Sequence, residues 1–143
     1  MRKLLLTLTA VLGAAAIAVP TALAVSPHFI YANVTDVTSN SLTVSFKEAG
    51  LGNSLNSVNI SVTANAECIN PGSKHPKAAN KTAEGTSGTF SVSNGQATGT
   101  ETVTASDISP SCTPPMTLAW TDIVVTDTTT GDSVAIPGTY YAS

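Results

Sequence analysis

The sequence predicts an all-β protein, an immunoglobulin-like antiparallel β-sandwich of about seven strands in a single exported domain. Three observations predict it. From Val58 to Cys68, apolar residues take every second position while Asn59, Ser61, Thr63, Asn65 and Glu67 take the others, the period-2 pattern of a half-buried strand. Further short alternating runs are separated by turn signals at the roughly 8–12-residue spacing of a sandwich. Downstream of the N-terminal segment no stretch carries helical periodicity.

The N-terminal segment is set aside first. Arg2 and Lys3 precede an apolar run from Leu4 to Val19 and an Ala22-Leu23-Ala24 ending, so residues 1–24 read as a secretory signal peptide. The run is short for a bilayer span, and its small-residue ending favours cleavage over anchoring. Cleavage after Ala24 leaves residues 25–143, one domain long enough to bury a core. It also leaves four basic residues against nine acidic ones, a net charge of −5, which argues against nucleic acid and anionic membrane as general partners. No second long apolar segment follows, so no membrane span is expected in the mature chain. The expected location is extracellular, with at most a loose association with the cell wall. Two cysteines in an exported chain, Cys68 and Cys112, are read as one disulfide, against the alternative of two free thiols. Two cysteines and two histidines at these spacings make no zinc set.

In chain order, Pro27 to Val37 mixes β-branched and aromatic residues and predicts an edge strand. After a turn at Asn40-Ser41, Leu42, Val44 and Phe46 alternate with Thr43 and Ser45 as a second strand. The segment Glu48 to Asn56, with two glycines and two asparagines, reads as a connection leading into the central strand. Ile69 to Gly88 lacks strand periodicity and reads as a long surface loop. Thr89 to Ser93 and Gln96 to Ala105 flank Asn94-Gly95, the signature of a tight β-hairpin. Prolines around Cys112 exclude regular pairing there. Met116, Leu118 and Trp120 alternate, but Ile123 and Val125 continue on the opposite parity, which predicts a β-bulge at Thr121 or Asp122. Asp127 to Asp132 reads as a turn, and Val134 with Ile136 as a closing strand interrupted by Pro137-Gly138.

The run from Cys68 to Lys81 (CINPGSKHPKAANK), with Asn94-Gly95, Cys112, Asp127-Thr128-Thr129-Thr130-Gly131 and Pro137-Gly138-Thr139, resembles a group of small secreted proteins of actinomycete-type bacteria. The resemblance implies export, a single disulfide and an all-β fold. It supplies no activity and no functional residues.

Catalysis needs a base within reach of a partner. The chain offers only His28, at the expected mature N-terminus, and His75, between Lys74 and Pro76, and it lacks a Gly-x-Ser-x-Gly elbow. No catalytic residues and no cofactor are therefore expected. Asp127 and Asp132, with Thr129, are weak candidates for calcium, but the dense acidic spacing of a calcium loop is missing and an Asx-type turn explains both acids. Trp120 lies in phase with core residues and is expected to be buried near the disulfide. The remaining asymmetry is the segment Asn70 to Lys81, where Lys74, Lys77, Lys81 and His75 gather three of the four mature lysines. It is the candidate binding loop for an anionic envelope polymer or an extracellular protein. Read without a partner, it is a solvated loop whose lysines balance acids such as Glu67 and Glu84. The expected function is a non-catalytic extracellular binding or cell-envelope protein. The alternative is a secreted protease inhibitor presenting Lys74, or Met116 after Pro114-Pro115, on a disulfide-rigidified loop.

Overall fold

A computed structural model describes residues 26–70, 81–106 and 112–142. The predicted signal peptide lies outside them, as do Lys74, His75 and Lys77. The described residues form eight strands: β1 (His28–Val37), β2 (Ser41–Ala49), β3 (Ser57–Ile69), β4 (Lys81–Ser91), β5 (Ala97–Thr104), β6 (Thr117–Asp127), β7 (Ser133–Ile136) and β8 (Tyr140–Tyr141). They make two antiparallel sheets, one in the order β1-β2-β5 and the other in the order β4-β3-β6-β7, with β8 also on β6. This is the immunoglobulin-like order in which the fourth strand has moved from beside the fifth to beside the third. Among the described residues no helix is long and apolar enough to cross a membrane.

Alternation places the core between the sheets. Leu42, Val44 and Phe46 of β2 face Val58, Ile60, Val62, Ala64 and Ala66 of β3 and Leu118, Trp120, Ile123 and Val125 of β6, all buried. Each fully buried large aliphatic or aromatic side chain contributes on the order of 2 kcal/mol. The parity change in β6 is resolved as expected. Thr63 and Asn65 of β3 stand opposite Val124 and Thr121, so β6 spends one residue more than its partner. The bulged Asp122 takes φ 51°, a left-handed conformation that aspartate tolerates better than most side chains. β1 is an edge strand, as expected, and Pro137, which lacks a backbone donor, separates β7 from β8.

Three expectations are corrected. First, β2 runs on to Ala49, so Glu48 is not in the connecting turn; it takes the next inward position after Phe46 and is completely buried. Second, β4 starts at Lys81 and not at Thr89. Its earlier inward positions are Thr82, Glu84, Thr86 and Gly88, which show no apolar alternation although all eleven residues from Lys81 to Ser91 are in register with β3.

Third, Asn94-Gly95 makes the tight turn, with φ 51° and 69°, but the arms are not a hairpin ladder. Only Ser93 and Gln96 form a bridge; β4 then joins one sheet and β5 the other. The arms keep hairpin register while side chains replace the ladder. A Cβ on Gly99 of β5 would collide with the Phe90 ring of β4, and a Cβ on Gly88 of β4 would collide with the Glu101 carboxylate of β5. Phe90 thus lies over Gly99, and Glu101 over Gly88, where it accepts a hydrogen bond from the Thr86 hydroxyl at 3.2 Å. The inserted ring also meets Phe46 edge-on at 4.8 Å. Burying that aromatic surface between the sheets takes the place of ladder bonds between the arms.

Candidate functional site

Cys68 closes the inward row of β3 and is bonded to Cys112, just upstream of β6, with the Cα atoms 5.2 Å apart. Trp120 is fully buried on the same inward face as Leu118, the cross-strand partner of Cys68. At this end of the sandwich the outer face of the larger sheet carries an organised polar cluster. Asn65 and Glu67 point outward from β3, Lys81 opens β4 directly opposite Glu67, and the bulge turns both Thr121 and Asp122 toward the same face.

The cluster is held by short contacts. Lys81 Nζ lies 2.8 Å from Glu67 Oε1 and 3.5 Å from Asp122 Oδ2. The Thr121 hydroxyl donates to Glu67 Oε1 at 2.9 Å, and Asn65 Nδ2 donates to Asp122 Oδ2 at 2.7 Å. Glu67 has only 5% of its surface exposed, so its charge depends on these partners. The hydrogen bond to Glu67, with the nearby charges of Glu67 and Asp122, holds the Lys81 ammonium above its ordinary pKa. The hydrogen bond from Asn65, then that from Lys81, holds the Asp122 carboxyl below its own. Beside the cluster, a groove of about 540 Å³ runs between the bulge at Thr121-Asp122 and the arch Pro137-Gly138-Thr139.

Of the candidate binding loop, Lys81 is the member described, and it is an anchor instead of a free cation: Glu67 and Asp122 answer its charge. Asp127 and Asp132 are close, but Asp127 is committed to the turn and Asp132 to β1. Asp127 is buried, its Oδ1 accepting the Thr129 N–H at 2.7 Å and its Oδ2 the Thr130 hydroxyl at 2.8 Å. Asp132 Oδ2 accepts the Phe29 N–H at 3.1 Å. Among the described residues no group of three histidine, cysteine or acidic side chains is arranged to hold a metal. His28 is exposed, its Nδ1 2.8 Å from the Ser26 carbonyl oxygen. Met116 is partly buried and packs against the core.

Two features were missed by the sequence reading. Glu48 carried a signal, since it follows Leu42, Val44 and Phe46 at the same two-residue step. The Asn65–Asp122 contact carried none, because it depends on the register of β3 against β6.

Comparison with known proteins adds little. The model of the CBX family C-terminal motif matches residues 33–50, eighteen of 143 residues that cover the second half of β1 and all of β2 and too few to show membership. No curated protein matches the chain.

Proposed function

We propose that this chain is a secreted, non-catalytic binding or cell-envelope protein whose contact surface is the segment Asn70 to Lys81, with an anionic envelope polymer as the partner class. One observation supports the reading: both ends of that segment are fixed. Two residues before it, Cys68 is tied to Cys112, and its last residue, Lys81, is ion-paired to its cross-strand partner Glu67. A segment whose ends are fixed loses less conformational entropy on binding than a free one, so its charges act at lower cost. Lys74 and Lys77, with His75, supply the positive charge in this reading, and Lys81 holds the frame. The same anchoring of the segment's ends serves the alternative, a protease inhibitor offering Lys74.

The test is retention of the mature protein on insoluble cell-wall material at low and high salt, beside a Lys74→Ala/Lys77→Ala variant with unchanged far-UV circular dichroism. Salt-sensitive retention lost in the variant is the expected result. Equal retention of the two proteins removes the segment from the contact surface. Inhibition of a trypsin-like protease by the wild type, without cleavage at Lys74, would put the inhibitor in its place.

A further inference from the structure

The end of the sandwich opposite the disulfide holds an acid in the wrong environment. Glu48 continues the inward row of Leu42, Val44 and Phe46, is 0% exposed, and among the described residues no hydrogen bond of good geometry reaches either of its carboxyl oxygens. Across the core stand Asp127, the buried last residue of β6, and Asp132 beyond the turn, with the Thr130 hydroxyl close by. A buried carboxylate without a partner is expensive, and a second and third negative charge make it more so.

Among the described residues nothing facing Glu48 supplies the missing positive charge. Its sheet neighbours are Phe29 on β1 and Ala97 on β5. Lys47 sits on the opposite face of β2, and exposed His28 is engaged with Ser26. Among the described residues the charged groups acting on Glu48 are Asp127 and Asp132, and with it they do not form a metal-holding group. A proton is the remaining way to neutralise the site.

The element most easily released here is the start of β1. It is an edge strand, its register with β2 slips between Phe29 and Tyr31, and the Phe29 N–H is bonded to the Asp132 side chain. The Phe29 ring, 6.3 Å from that of Phe46, packs against the core beside Glu48. Releasing this segment uncovers the core beside Glu48 and so lets water reach the carboxyl.

We propose that Glu48, Asp127 and Asp132 form a proton-operated latch. With Glu48 protonated, the start of β1 and the β6–β7 turn stay closed over the core; with Glu48 ionised, the Phe29–Asp132 contact opens and the carboxylate reaches water. The operating range is near neutral, because burial, then the charges of Asp127 and Asp132, push the Glu48 carboxyl up to about 7.

Carbon-detected NMR titration of the Glu48 carboxyl in the wild-type protein, beside amide hydrogen exchange corrected for intrinsic rates, tests the latch. The expected result is a Glu48 midpoint near neutrality and about a tenfold loss of protection at Phe29, Thr129 and Gly131 across that midpoint. In Glu48→Gln the protection should be independent of pH. In Asp132→Asn, which keeps an acceptor for Phe29 and removes one charge, the Glu48 midpoint should fall. A Glu48 midpoint in the ordinary carboxylate range, or equal protection on both sides of it, overturns the proposal. So does an unmoved midpoint in Asp132→Asn.

Discussion

Replacing Gly99 with alanine should destabilise the domain by about 2–3 kcal/mol, although the change adds a single methyl on an edge strand. The reason is the seam between β4 and β5. The new Cβ falls on the edge of the Phe90 ring. That ring cannot swing inward, because it meets Phe46 at 4.8 Å and 87°, and Phe46 is itself set edge-on against Phe29 at 6.3 Å and 82°. Overpacking of a filled site costs about 1–3 kcal/mol, and loss of the edge-to-face pair adds about 1 kcal/mol. The narrower conformational freedom of alanine in the unfolded chain returns about 0.4–1 kcal/mol. Urea unfolding followed by the emission of Trp120, the sole tryptophan, measures the sum. Phe90→Leu supplies the control: in that background Gly99→Ala should cost less than about 1 kcal/mol, a coupling of about 2 kcal/mol. If Gly99→Ala alone shifts stability by less than about 0.5 kcal/mol, or if the two changes are additive, the ring does not hold the seam.

Removing the disulfide as Cys68→Ser/Cys112→Ser should cost about 4 kcal/mol, from the 44-residue separation that the bond closes, read as the urea-extrapolated difference from the oxidised wild type. Asp127→Ala releases the Thr129 N–H and the Thr130 hydroxyl and should cost about 2 kcal/mol; a loss under about 0.5 kcal/mol would show that the turn holds without them. Trp120 is fully buried and its Nε1 has no acceptor, so its emission should be blue-shifted in the native state, and Trp120→Ala should cost about 3–5 kcal/mol in the same assay. The pH dependence follows from Glu48, whose carboxyl is raised from 4.5 to about 7 by folding. The folded state therefore binds the extra proton, so the favourable contribution is complete below the unfolded value and is lost as pH rises to the folded one. Stability should fall by about 3 kcal/mol across that window and be flatter in Glu48→Gln, as measured by urea midpoints.

The sequence was legible where one chemical pattern matched one geometric period. The alternation of Val58 to Cys68 located β3 to within one residue at each end, and the parity change after Trp120 placed the bulge at Thr121 or Asp122, the second of which carries it. Patterning failed where inward positions are not apolar. Thr82, Glu84, Thr86 and Gly88 face inward on β4 without being apolar, Gly88 and Thr86 lying against Glu101, so this half of the strand reads as loop. Glu48 failed for the converse reason: a charge ends an apolar run on paper, yet the strand continues through it to Ala49. The turn at Asn94-Gly95 was legible from its dipeptide, but the sheet each arm joins was not, because it is decided by a ring inserted between strands distant from the turn.

The two ends of the sandwich are stabilised by opposite means, and this separates the candidate contact surface from the latch. At the disulfide end a covalent bond and the Glu67–Lys81–Asp122 cluster fix the chain on either side of the Asn70–Lys81 segment. At the far end an edge strand lies beside a buried carboxyl that faces Asp127 and Asp132 and has no cation among the described residues. β3 links them, from Ile60 opposite Asp127 to Cys68 opposite Leu118, and its central residues are hydrogen-bonded to strands on both sides. A central strand of this kind opens only with the whole domain, whereas the start of β1 opens locally. Ionisation of Glu48 should therefore leave the anchored segment unmoved. Retention of Glu48→Gln on cell-wall material should equal that of the wild type, while exchange at Phe29 differs between them. A change in retention that tracks the Glu48 titration would mean that β3 transmits the opening, and that the two ends behave as one cooperative unit.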